Sequence, residues 1–266
     1  MRLPNLLATR NGRLTAFFAL YITEGIPLGF AATAIATQMR RQGLGPAEIG
    51  AFVASIYLPW AMKWAVGPFV DVFSSERFGR RRLWIVLTQF ALVGSLMAMM
   101  PVNFTTELKL FTLLILIHNA FGATQDVAID ALAVNTLRAD ERGLANGLMF
   151  GGAYLGQAIG GSGVLFLAPH IGFSNTFFFV AAWILAITFF VALPMREAAG
   201  PPQPPRTRSA FVTVALQIWQ FMKDTFFAFV GQRGALIGLL FALMPAGAYA
   251  LGLALQSNLA VELGLN

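Results

Sequence analysis

The chain is expected to fold as an all-α, polytopic membrane bundle, and three observations say so. Hydrophobic residues make up 57% of the 266 residues and charged ones 11%, against about 25% charged in a soluble domain, and mean hydropathy is +0.69. Successive apolar runs approach the ~20 residues that a bilayer requires, with short connections between them. Lys and Arg gather in alternate connections. The net charge of +6 therefore reads as a topology signal, not as a phosphate-binding face, and no nucleic-acid partner is expected.

The elements follow in order. Residues 1–13 are a short basic tail carrying Arg2, Arg10 and Arg13. The first run, Leu14–Gln38, contains Glu24 and Pro27. At ~25 residues it is too long and too polar for a signal-peptide core, so it is expected to stay as the first transmembrane helix. Five more runs follow: Ala47–Phe73, Leu83–Pro101, Leu108–Leu137, Leu144–Ala168 and Gly172–Leu193. Gly200–Arg208 is a proline-rich basic linker. Ser209–Gln232 sets Phe211, Leu216, Trp219, Met222 and Phe226 against Gln217, Gln220, Lys223 and Asp224, the pattern of an amphipathic helix lying on a membrane surface. A seventh apolar run spans Gly234–Ala260.

Basic residues orient the bundle. With the N-terminus inside, the inner segments hold Arg2, Arg10, Arg13, Arg77, Arg80, Arg81, Arg82, Arg138, Arg142, Arg196, Arg206, Arg208, Lys223 and Arg233, and the outer loops only Arg40, Arg41 and Lys109. The N-terminus is expected in the cytoplasm. A weak repeat adds to the plan: Pro27, Gly29, Ala32, Ala36 and Gln38 recur as Pro245, Gly247, Ala250, Ala254 and Gln256. Two parallel six-helix halves are a transporter architecture. Residues 1–195 are expected to form a six-helix half, 196–232 a cytoplasmic linker with the surface helix, and 233–266 the first helix of a second half whose remainder lies beyond this chain.

Charges inside the runs carry the functional reading. Asn119, Gly122, Asp126 and Asp130 recur at helical spacing as one polar stripe, with His118 and Gln125 on its shoulder. A carboxylate at mid-membrane costs ~2.5–3.5 kcal/mol on insertion scales, so such groups usually face a bundle interior or a water-filled path. At ~1.5 Å per residue, Glu24 lies ~15 Å, Lys63 ~13–15 Å and Asp126 ~16 Å from the inner ends of their helices. An acid, a base and an acid thus share one layer. Trp60, Lys63, Gly67 and Asp71 share a helix face, and Tyr57 and Trp60 offer stacking surface to a sugar or peptide. Either these charges line a substrate and proton path, with Asp126 the first candidate proton carrier and Glu24 and Asp130 next, or they form an ion pair that only fixes packing. His118 is either a packing residue or a proton relay.

Enzyme chemistry is not expected. Cysteine is absent, which excludes thiol catalysis and Cys-based metal sites. The two His, His118 and His170, belong to no metal or catalytic motif, and no metal or cofactor is expected. Gly152, Gly156 and Gly160 repeat every fourth residue in an apolar run, which means close helix packing rather than phosphate binding.

Gly67-Pro-Phe-Val-Asp71 followed by Phe78-Gly-Arg-Arg-Arg82 resembles the signature between helices 2 and 3 of the major facilitator superfamily. The fuller resemblance is to its AmpG-type muropeptide permeases and the related acetyl-CoA transporters. It rests on Tyr21–Gly29, Leu58–Lys63 with Gly67-Pro68, Gly79–Arg82, Ala123-Thr-Gln-Asp-Val-Ala-Ile-Asp130 and Glu141-Arg-Gly143. The resemblance implies a multi-pass protein of the bacterial inner membrane that imports anhydromuropeptides, fragments of cell-wall recycling, by proton symport. It makes Gly67, Asp71, Gly79, Arg80, Arg81, Arg82 and Arg142 parts of a conformational switch. Alternative readings are a transporter of another organic anion such as acetyl-CoA, or a non-transporting membrane sensor or assembly subunit.

Overall fold

The computed structural model describes residues 4–73, 75, 78–198, 209–231, 234, 237 and 261–263, and every regular element among them is helical. Helix α1 is one 32-residue rod, Arg10–Arg41, opened by Thr9, whose hydroxyl accepts the Gly12 N–H at 3.1 Å. A wide π turn at Phe30–Ile35 follows Pro27. Proline has no N–H to give the ladder, and a local change of helix register accommodates the gap. Helix α2 comprises Pro46–Ala61 and Lys63–Val72, bent by 46°. Pro59 lies just before the bend, the usual cause of a sharp kink, and the bend makes Lys63 the first residue of the second segment.

Helices α3 (Arg80–Met99), α4 (Leu108–Thr136), α5 (residues 142–171, with a π turn at Ile159–Gly163) and α6 (Phe173–Ala192) complete six rods. Helix α7, Ala210–Gly231, packs on the second segment of α2, with the Phe211 ring 5.5 Å from that of Phe73. Val214 is buried there, while Trp219, Met222 and Phe226 stay exposed. The observed rods lie within a few residues of the expected runs. The linker 200–208 and nearly all of the seventh run fall outside the described residues.

Among the described residues four helices are long and apolar enough to cross a membrane alone, and the bent α2 makes a fifth. Helix α5 is less apolar than these, because its glycines, with Gln157 and Ser162, add little hydropathy.

Those glycines serve packing. Helices α1 and α5 run parallel and form the tightest pair in the bundle. A Cβ on Gly152, Gly156 or Gly160 would strike the carbonyls of Phe18, Ile22 and Ile26, three rungs spaced four residues apart on both helices. Gly25 and Gly29 meet the backbone of Ala153 and Gln157 in the same way. Backbones this close gain dispersion contacts that no larger side chain permits.

The polarity pattern is that of a membrane bundle. Large apolar side chains such as Phe166, Phe190 and Phe150 point outward, at 78%, 67% and 61% exposure. Thr23, Gln89, Gln125 and Thr188 are fully buried. They form a chain across four helices: Gln125 Nε2 donates to Thr23 Oγ1 at 2.9 Å, Gln89 Nε2 to the same oxygen at 3.3 Å, and Thr188 Oγ1 to Gln89 Oε1 at 2.8 Å. Where lipid tails supply no hydrophobic drive between helices, such bonds fix which helices meet.

Candidate functional site

The polar layer assembles from α1, α2 and α4. The bend in α2 delivers Lys63 to α4, where its ammonium forms an ion pair with Asp126. The same ammonium stands 5.1 Å from the centre of the Trp60 ring, within cation–π range. Trp60 Nε1 donates to Asn119 Oδ1 at 3.5 Å, and Asn119 Nδ2 donates to the Ile115 carbonyl at 2.9 Å. Tyr57 is half-buried one turn before Trp60.

One turn further along α4, Asp130 accepts a 2.5 Å hydrogen bond from the Tyr21 phenol of α1. Glu24, one turn after Tyr21, lies within electrostatic range of both Lys63 and Asp130. Its Oε2 is buried without a hydrogen-bond partner. The structure therefore brings Glu24, Trp60, Lys63, Asp126 and Asp130 into one cluster, with Asp126 buried and Lys63 about one-third exposed.

Gln125 and His118 point elsewhere. Gln125 belongs to the buried chain through Thr23. His118 Nδ1 lies 2.7 Å from Ser95 Oγ on α3, so the imidazole sits between α3 and α4 and not beside Lys63. Sequence reading missed Tyr21, Thr23, Gln89, Ser95 and Thr188. Tyr21 had a signal, its i,i+3 spacing to Glu24. The others are single polar residues whose partners only the packing supplies.

A second constellation ties the basic end of the bundle. Arg81 forms an ion pair with Asp71 and donates to the Val70 carbonyl at 3.2 Å. Glu197, just past α6, accepts the backbone N–H groups of Arg81 and Arg82 at 2.9 and 2.5 Å. It thereby caps α3 from a distant part of the chain and complements the positive helix end. Gly79 allows this approach: its φ is +88°, and a Cβ would stand 2.8 Å from Glu197 Oε1. Arg82 donates to the Met195 carbonyl at 2.6 Å.

Arg13 grips Glu141 through two bonds of 2.9 and 2.5 Å, and Asn5 exchanges two bonds with the backbone of Arg196. The guanidinium of Arg13 holds the Glu141 carboxyl below the usual carboxylate range. Of the residues expected in a switch, Arg80 opens α3, Arg142 is exposed beside Glu141, and Gly67 faces open space. Glu197 and the Arg13–Glu141 pair were not foreseen, because their partners lie more than a hundred residues away in sequence.

Comparison with known proteins agrees with this architecture. Residues 14–265 match the family model of the Major Facilitator Superfamily. The chain is 28% identical over 187 residues to "Putative transporter AmpG 4" of Rickettsia conorii, a match covering 68% of this chain and 45% of the relative. For the protein of that name in Rickettsia felis the values are 30% over 186 residues, 69% and 44%. For the "Anhydromuropeptide permease" of Escherichia coli they are 26% over 201 residues, 75% and 41%. The aligned part of this chain thus covers less than half of each relative. With six helical rods, an intramembrane charge cluster and an Arg-rich turn between α2 and α3, this multi-pass membrane chain belongs to the Major Facilitator Superfamily.

Proposed function

We propose that the chain supplies the N-terminal half of a proton-coupled secondary transporter, and that the transporter carries anhydromuropeptides across the bacterial inner membrane into the cytoplasm. The basic end of the bundle then faces the cytoplasm, where the excess of Lys and Arg belongs. The observation that carries the reading is the Lys63–Asp126 pair flanked by Trp60, within a layer of further carboxylates. A scaffold gains little from such charges in a membrane, whereas a carrier of anionic peptide and sugar needs a cation and an aromatic face at one depth. In this reading the Lys63 ammonium donates to a carboxylate of the substrate, and Trp60 and Tyr57 pack against its sugar rings. A second anion in the layer calls for a compensating proton, which links proton and substrate binding through charge balance.

The similarity to a relative named for anhydromuropeptides supports that substrate class over a CoA-type anion. Equilibrium binding of an anhydromuropeptide to the purified full-length protein tests the assignment. Lys63→Ala is expected to weaken binding at least ~10-fold, the loss of one charge-assisted contact. Unchanged affinity in Lys63→Ala removes the substrate from this site. Binding of acetyl-CoA but not of the muropeptide replaces the substrate class.

A further inference from the structure

We infer that Glu24, rather than Asp126, is the carboxyl group that takes up and releases the transported proton; the assignment rests on the transport reading above. Three carboxylates and one ammonium share the layer. Asp126 is neutralised by Lys63, and Asp130 accepts the hydroxyl hydrogen of Tyr21. Among the described residues Glu24 has neither an ion-pair contact nor a hydrogen bond, and its Oε2 is buried. The charged groups that act on it are Lys63 of α2 and Asp130 of α4, and on its own helix Tyr21 stands one turn away.

Glu24 is only half-buried, but the Oε2 of its ionised carboxylate would lack both solvent and donors, and a proton removes that cost directly. Asp126 has a fixed positive charge for that purpose and no comparable need. The division of labour follows. Lys63 and Asp126 hold the place of the substrate anion. Glu24 adds one proton to its carboxylate when the layer opens to the acidic side and gives that proton to water when it opens to the other. Half-burial on α1, next to the close-packed α5, places Glu24 on the element whose tilt would alternate its access.

Infrared difference spectra of the purified full-length protein, between alkaline and neutral pH and without substrate, test this directly. At neutral pH a protonated-carboxyl C=O band is expected in the wild type. It should shift when glutamate is isotopically labelled and stay in place when aspartate is labelled. It should vanish in Glu24→Gln and persist in Asp126→Asn. A band that follows the aspartate label, or no band at all, overturns the assignment, and the labelling arm needs no variant to fold. Failure of the transport reading shows itself separately, as a wild-type protein that neither binds nor accumulates an anhydromuropeptide.

Discussion

An ammonium inside an apolar bundle is tolerable only with a counter-charge, and Lys63 has Asp126. Removing one partner of such a pair costs more than removing both, because the survivor stays charged and unpaired. Lys63→Ala is therefore expected to destabilise the folded protein, by less than the ~3–5 kcal/mol of a fully buried pair because Lys63 is about one-third exposed, and adding Asp126→Asn to recover much of the loss. Thermal denaturation of the purified single and double variants in detergent measures both; a double variant no more stable than Lys63→Ala would contradict the pairing. At the basic end the sign of a pH effect follows from Glu141. Arg13 lowers the pKa of its carboxyl, so the stabilisation is complete above the ordinary carboxylate pKa and is lost as pH falls through the lowered folded-state value. Melting temperatures should fall below about pH 4 in the wild type, and with a shallower slope in Glu141→Gln. The stripe Asn119, Asp126, Asp130 was legible from helical spacing alone, since charges at four-residue intervals in an apolar run have few structural uses. The chain Gln125–Thr23–Gln89–Thr188 was not, because each member is a lone polar residue until four helices pack.

Helix boundaries were legible because apolar runs of membrane length end at Arg, Pro and Gly. The bend in α2 and the π turns were not, since Pro59 and Pro27 announce a disturbance without saying where the ladder resets. The glycine spacing of α5 announced close packing, and its partner on α1 came only with the fold. Gly156→Leu is expected to push α1 and α5 apart and cost about 1–3 kcal/mol, as over-packing does. Gly151→Leu faces open space and should cost far less. Equal losses in thermal melts would deny the helix contact. At the start of α3, Glu197→Ala removes a distant helix cap and should cost about 0.5–2 kcal/mol. No change in melting temperature would mean that solvent satisfies those N–H groups equally well.

For the whole molecule, the distribution of Lys and Arg predicts the basic end inside the cell. A reporter fused after Val102 should read periplasmic and one after Arg206 cytoplasmic, and the reverse would invert the topology. In the proposed function, the charge layer of α1, α2 and α4 binds and moves an anionic substrate together with a proton. The direct measurement is uptake of a radiolabelled anhydromuropeptide into proteoliposomes of the full-length protein under an imposed pH gradient. Accumulation above the outside concentration is expected in the wild type, with its collapse by a protonophore and its loss in Lys63→Ala. Accumulation that survives the protonophore, or that Lys63→Ala sustains at the wild-type level, would contradict the proposed function.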